Sequence, residues 1–310
     1  MKVQSALIHS ESMRGTLFKP LLGLLILLCG CGTPYDKLHE NGSTIHSSRD
    51  GLYYWYYHAW NGHYYIKVAW SASPTGPWMQ NPDSILEPDS EAFENESVAC
   101  PTVVQEEGTF YMFYSGENRK DNSWSVALAV ANHPLGPWRK VSELLPHFGY
   151  VTSVSHHDGR YFMYAQSNQH NDYGPTVVAS SLSLIGPWTV EGVALPNSEE
   201  RWESAGTEGG TVLRINNDYV LFYAGGHYVD QIRMHAHDAI GVAFSSDGLH
   251  FTRSLFNPVV SNPSASIGNV SALREDGKIY LFYTYRVNDG AGASESLGET
   301  VLNMGDIPME

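Results

Sequence analysis

Residues 66–78 read IKVAWSASPTGPW, residues 126–138 VALAVANHPLGPW and residues 176–188 TVVASSLSLIGPW. Each is a short run of β-branched and small residues that ends, after a polar turn, in Gly-Pro-Trp. A fourth copy, IGVAFSSDGLHFTR at 240–253, is degenerate and carries Phe251 where the others carry Trp. Upstream of each copy an aromatic stretch follows a turn: DGLYYWYYH at 50–58, EGTFYMFYS at 107–115, DGRYFMYAQ at 158–166 and NDYVLFYAG at 217–225. A fifth, DGKIYLFYT, stands at 276–284. Recurrence at about fifty to sixty residues matches one four-stranded antiparallel sheet with its turns. Each unit therefore reads as strand A, a tight turn, aromatic strand B, a longer loop, strand C, and a short turn into strand D carrying the Trp. The Asp-Gly pairs supply the positive φ of tight hairpins and are turn chemistry, not ligands.

One such sheet cannot bury both its faces, so five must pack radially. The expected fold is all-β, a five-bladed β-propeller of four-stranded antiparallel blades. A sandwich would explain the strand spacing but not the repeated Gly-Pro-Trp. The last unit, RVNDGAGASESLGETVLNMGD at 286–306, is rich in Gly and acid and lacks a clear C and D pair, so the chain ends are expected to close that blade.

Composition agrees. Of 310 residues 42% are hydrophobic and 16% charged, enough apolar material for a full core, which excludes disorder, collagen and coiled coil. Eight Trp, 19 Tyr and 11 Phe favour pleated strands. With 33 acidic groups against 18 Lys and Arg, the net charge of −15 lacks the basic footprint of a nucleic-acid or anionic-membrane binder. A neutral or weakly charged ligand suits it better.

Residues 1–30 stand apart as a lipoprotein-type signal peptide, with residues 31–310 as a single propeller domain. Arg14 and Lys19 precede an apolar run at 21–28, far short of the roughly twenty residues that span a bilayer. The run ends in Leu28-Cys29-Gly30-Cys31, which resembles the bacterial lipobox and makes Cys31 the expected lipidated residue, with ordinary signal cleavage as the alternative. The expected location is the cell envelope as a lipoprotein of the outer membrane or periplasm, and otherwise secretion. After processing only Cys100 remains, a buried apolar filler that allows neither a disulfide nor a Cys-based metal site.

Antiparallel geometry says where function belongs. The start of A, the end of B and the start of C share one edge of each sheet, so five blades bring five A-starts around one funnel. Aligning the units on their aromatic strands places Asn41, Ala99, Tyr150, Glu208 and about Gly268 at the equivalent position, and Glu208 is the ionisable acid of the five.

EGGTVLRINNDYVLFYAGG, ACPTVVQEEGTFYMFYSG and IGVAFSSDGLHFTR resemble the blades of the five-bladed propeller glycoside hydrolases, family 43 and its relatives such as families 32, 117 and 130, over residues 40 to 286. In family 43 the fourth blade carries a Glu-Gly-Pro segment whose Glu is the general acid, and TEGGTV matches it at Glu208 with Gly210 replacing Pro. The second blade commonly shows Trp-Ala-Pro, where Cys100-Pro101 stands here. The resemblance implies a glycosidase acting on plant or algal polysaccharide fragments, with an aromatic-lined, partly dry funnel raising the pKa of Glu208.

Such enzymes use a second carboxylate in the first blade and an Asp in the third that tunes the acid. Here the counterparts are Asn41 and Tyr150, which take no proton from water at neutral pH, and Ile267-Gly268 replaces the usual His before the fifth blade. A carboxylate from elsewhere would have to substitute, with Glu40 and Glu96 nearest in sequence and Glu203 as a reserve acid. The alternatives are a non-catalytic carbohydrate-binding propeller, and a sugar lyase or dehydratase using His and Tyr.

His58, Glu117, Gln166, His227 and Arg286 follow their B strands directly, at the funnel edge. Arg286 offers planar paired donors to hydroxyls or a carboxylate, or else a loop salt bridge. His227 is a candidate acid/base or a solvated loop His, and Trp60 a stacking platform or blade packing. Together with Asn41 and Tyr150, the residues His58, His227 and Arg286 form the candidate substrate-binding set. His235 and His237, with Asp238 adjacent, are a conceivable metal pair lacking a third ligand at standard spacing. No metal site is therefore assigned, and no cofactor is identified. The expected partner is an oligosaccharide or polysaccharide, with no nucleic acid and with membrane attachment through lipid only.

Overall fold

A computed structural model describes residues 40–90, 92–167, 174–229, 234–288 and 293–307. The expected signal peptide and Cys31 lie outside these. The first blade contains β1 (Glu40–His46), β2 (Tyr53–Trp60), β3 (Tyr64–Ser71) and β4 (Met79–Gln80). The second contains β5 (Ser97–Glu106), β6 (Thr109–Asn118), β7 (Ser123–Ala131) and β8 (Arg139–Leu145). The third contains β9 (Tyr150–His157), β10 (Arg160–Gln166), β11 (Thr176–Ser181) and β12 (Thr189–Leu195). The fourth contains β13 (Gly206–Ile215), β14 (Asp218–Val229), β15 (Met234–Ser245) and β16 (Thr252–Arg253), with β17 (Val260–Ser261) also pairing β15. The fifth contains β18 (Ser266–Glu275), β19 (Lys278–Asn288) and β20 (Ala293–Asn303). Sequential strands within each blade pair antiparallel, and the inner strands β1, β5, β9, β13 and β18 pack each against the next, with β18 returning to β1. That closed ring is the five-bladed propeller. The described residues contain only two single 3-10 turns as helix, and no helix long and apolar enough to cross a membrane.

The repeated aromatics explain why the blades adhere. The Gly-Pro-Trp tripeptides sit in the C–D turns, so each Trp immediately precedes the outer strand and does not lie on it. Trp138 meets Tyr56 of the preceding blade edge-on at 5.9 Å, and Trp188 meets Phe113 in the same way at 5.9 Å. Phe251, the degenerate copy, meets Tyr164 at 5.8 Å. Trp78 meets Phe282 of the fifth blade at 6.2 Å and so closes the ring. The glycine of the motif is required: Gly76 has φ +81°, and a Cβ there would lie 2.9 Å from the Trp78 ring. Two tyrosines add polar contacts across the same seams, Tyr56 donating to the Pro134 carbonyl at 3.0 Å and Tyr164 to the Gly248 carbonyl at 2.8 Å.

The fifth blade departs from expectation in one respect. Its Gly- and acid-rich segment does form a C strand, β20, because β19 supplies the apolar cross-strand partners Ile279 and Leu281 for Leu302 and Thr300. No fourth strand follows it among the described residues. Instead Ile307, 4% exposed, joins the cluster that holds Phe222 of the fourth blade, the position facing an outer aromatic at the other seams.

Every inner strand also carries a hydroxyl at one level, Ser43, Thr102, Ser153, Thr211 and Ser271, paired with Tyr56, Phe113, Tyr164, Phe222 and Phe282. Three of these accept a backbone N–H from the next blade: Ser43 from Val103 at 3.1 Å, Ser153 from Val212 at 3.2 Å and Thr211 from Ala272 at 3.1 Å. Donors that no ladder satisfies are thereby covered at the crowded centre.

Candidate functional site

Directly beyond that ring of hydroxyls each inner strand holds one extra residue relative to its partner, a β-bulge of the kind that re-aims side chains at sheet ends. The position three residues before each hydroxyl lies beyond the bulge. Ala99 pairs with Ser115, Tyr150 with Gln166, Glu208 with Ala224 and Gly268 with Thr284, the equivalence drawn from the repeats. In the first blade the register differs: Glu40 pairs with His58, and Asn41 falls within the bulge. The axial set is therefore Glu40, Ala99, Tyr150, Glu208 and Gly268. It carries two acids on non-adjacent blades instead of one.

Glu208 is half-buried, with its Oε2 shielded from solvent. The neighbouring Thr207 shares a hydroxyl contact of 2.9 Å with Thr176 of the third blade, which fixes the seam beside it. His58 is 4% exposed, and its Nδ1 accepts the Cys100 N–H at 3.1 Å, so the neutral ring carries its proton on Nε2. It props up the bulge of the second blade, where Cys100 adopts φ +52°. Cys100 is a buried filler among Ala99, Trp124, Tyr64 and Tyr150. Tyr150 is half-buried, its ring 4.8 Å from that of Trp124. Trp60 is 47% exposed and rests edge-on against Tyr64 at 4.8 Å.

Glu96 stands at the mouth of the second blade in an ion pair with the exposed Arg119. One strand over, burial pushes the Glu117 carboxyl up, opposed by a hydrogen bond from Ser97 and assisted by the nearby Glu96 charge. His227 and Arg286 are half-buried on β14 and β19, their backbones paired with Ala236 and Ser266. The side chains of His235, His237 and Asp238 lie outside the described residues, and no group of three metal ligands occurs among those described.

Glu203, the reserve acid, is not at the funnel. It is 1% exposed and both its oxygens engage Arg253 Nε, at 2.9 and 2.8 Å. The sequence signal for this role was present, since Glu94 and Glu203, each following an aromatic residue, precede an axial residue by five positions, but the cation of Glu203 lies fifty residues downstream.

Three findings place the molecule among known proteins. A thermostable family-43 glycoside hydrolase superposes with TM-score 0.59 at 18% identity, covering 88% of this chain and 94% of that one. The α-L-arabinanase of Cellvibrio cellulosa gives TM-score 0.63 at 15% identity over 86% and 92%. The xylan β-1,4-xylosidase of Bacillus halodurans gives 0.64 at 16% identity over 85% of this chain and 53% of its own. No curated protein sequence matches. The sequence model of glycosyl hydrolases family 43 matches residues 78–267, more than half of the chain, so that the chain belongs to glycosyl hydrolases family 43.

Proposed function

We propose that the chain hydrolyses glycosidic bonds in plant or algal polysaccharide fragments, with Glu208 as the general acid. Family membership and the arabinanase and xylosidase folds support a glycosidase. The observation that carries the role of Glu208 is its register: it is the first residue beyond the bulge of the fourth inner strand, one of five strands that close a ring, with one oxygen shielded from water. A carboxyl there can hold a proton for a leaving glycosidic oxygen. The second carboxylate that two-group hydrolysis demands is best supplied by Glu40, whose backbone occupies the equivalent position of the first blade. Glu96 is the further candidate, in an ion pair with Arg119. Incubating the chain with a panel of plant and algal glycans should release new reducing ends from at least one. Binding without release from every member would favour a non-catalytic carbohydrate-binding propeller, a reading to which the exposed Trp60 lends a sugar-stacking surface.

We also propose that the protein is tethered at the cell envelope through lipid on Cys31. Cys31→Ser should move it from the membrane fraction to the soluble fraction of its host. A wild-type protein that already fractionates as soluble would end that proposal.

A further inference from the structure

We infer that Trp202 and Glu203 form a positioning clamp for Glu208, an inference that rests on reading Glu208 as the general acid. The two residues lie in the short turn Arg201–Glu203, six and five positions ahead of Glu208. Glu203 accepts from Arg253 through both oxygens, and its Oε2 also accepts the Tyr223 hydroxyl at 2.9 Å. Each donor is itself anchored. Arg253 donates from Nη2 to the Pro196 carbonyl at 2.8 Å, and the Tyr223 hydroxyl accepts from Asn257 Nδ2 at 3.1 Å. The Trp202 ring stacks on Tyr223, centroids 5.8 Å apart at 27°, and lies on a floor of two glycines. A Cβ on Gly225 would come within 2.4 Å of Trp202 Cζ3, and one on Gly241 within 2.6 Å of Cη2, so no other residue permits this seat.

The clamp acts on the strand that bears the acid. Gly225 pairs with Thr207 and Gly226 with Gly206, while the Ala205 N–H donates to the Gly226 carbonyl at 2.9 Å. Residues 203 to 207 are thus held to the same short piece of β14 that Trp202 covers, and Glu208 follows. A carboxylate that shares the Arg253 Nε–H between its two oxygens and also accepts the Tyr223 hydroxyl has one orientation, and its backbone inherits it. The second blade repeats the arrangement without an acid. Phe93 and Glu94 cover Gly116, where a Cβ would lie 2.5 Å from Glu94 Cβ, and Glu94 Oε1 meets Lys140 Nζ at 2.9 Å and the Tyr114 hydroxyl at 3.4 Å. Five residues after Glu94 comes Ala99, which bears no proton.

The test compares an unactivated oligosaccharide with an aryl glycoside, whose leaving group needs little protonation. A displacement of a catalytic group by about 1 Å costs on the order of a hundredfold. Glu203→Gln, and independently Gly225→Ala, should therefore lower kcat on the oligosaccharide by roughly ten- to a hundredfold with little change in KM, yet spare the aryl glycoside within about threefold. Glu94→Gln should lower the melting temperature comparably but shift both substrates alike. A merely structural clamp would give Glu203→Gln and Gly225→Ala the same equal losses, and that result overturns the inference while Glu208→Gln still shows the contrast. If Glu208→Gln shows no contrast, the reading of the acid falls and the clamp with it. Should Glu203→Gln fail to fold, Gly225→Ala decides.

Discussion

Trp78→Ala should cost about 3 to 5 kcal/mol, the range for truncating a large buried aromatic, and lower the melting temperature by about 10 °C in a domain of this size. Trp78 is 7% exposed and lies against Trp55 within its own blade and Phe282 of the fifth. Its seam is the one at which the two ends of the described chain meet, so the cavity it leaves opens the ring where no covalent connection between consecutive blades assists. Trp188→Ala, at a seam spanned by continuous chain and with the indole only half-buried, should cost less. Thermal unfolding followed by near-ultraviolet circular dichroism reads both. A Trp78→Ala protein melting within about 2 °C of wild type would mean that the ring is not held at this contact.

The largest effect on activity should come from Glu208→Gln. Glutamine keeps the shape and hydrogen-bonding reach of the side chain and loses the transferable proton. General acid–base catalysis contributes about two to four orders of magnitude, so kcat on an oligosaccharide should fall by that amount while KM changes little. The melting temperature should hold, because the substitution conserves volume at a half-buried position. Stability and activity are then separable in this fold. The expected outcome is that Trp78 governs the first and Glu208 the second.

The repeated tripeptides and aromatic strands make the five blades legible in the sequence, because inter-blade packing demands the same large ring at the same turn each time. What the repeats could not convey was the register beyond the bulge in the first blade. An extra residue has no side-chain signature, and the alignment therefore placed Asn41 where the hydrogen-bond ladder places Glu40. The burial of Glu203 was illegible for a different reason: its partner Arg253 is distant in sequence, and a lone Glu near an active strand reads equally well as an acid or as half of an ion pair. The ring of Ser43, Thr102, Ser153, Thr211 and Ser271 was in plain sight three residues from each axial position, hidden only because Ser and Thr are also ordinary strand residues. The C strand of the fifth blade was missed since its Gly and acidic residues have low β propensity, and tertiary pairing with β19 overrides that preference.

The account stands most directly on the leaving-group dependence of the Glu208→Gln protein. Turnover of an unactivated oligosaccharide and of an aryl glycoside of the same sugar should be measured for wild type and variant side by side. The prediction is a loss of about a hundredfold or more on the first and a rate within about tenfold of wild type on the second, since only the first leaving group needs a donated proton. Equal losses on both substrates would contradict it and make Glu208 a base, a nucleophile or a binding residue.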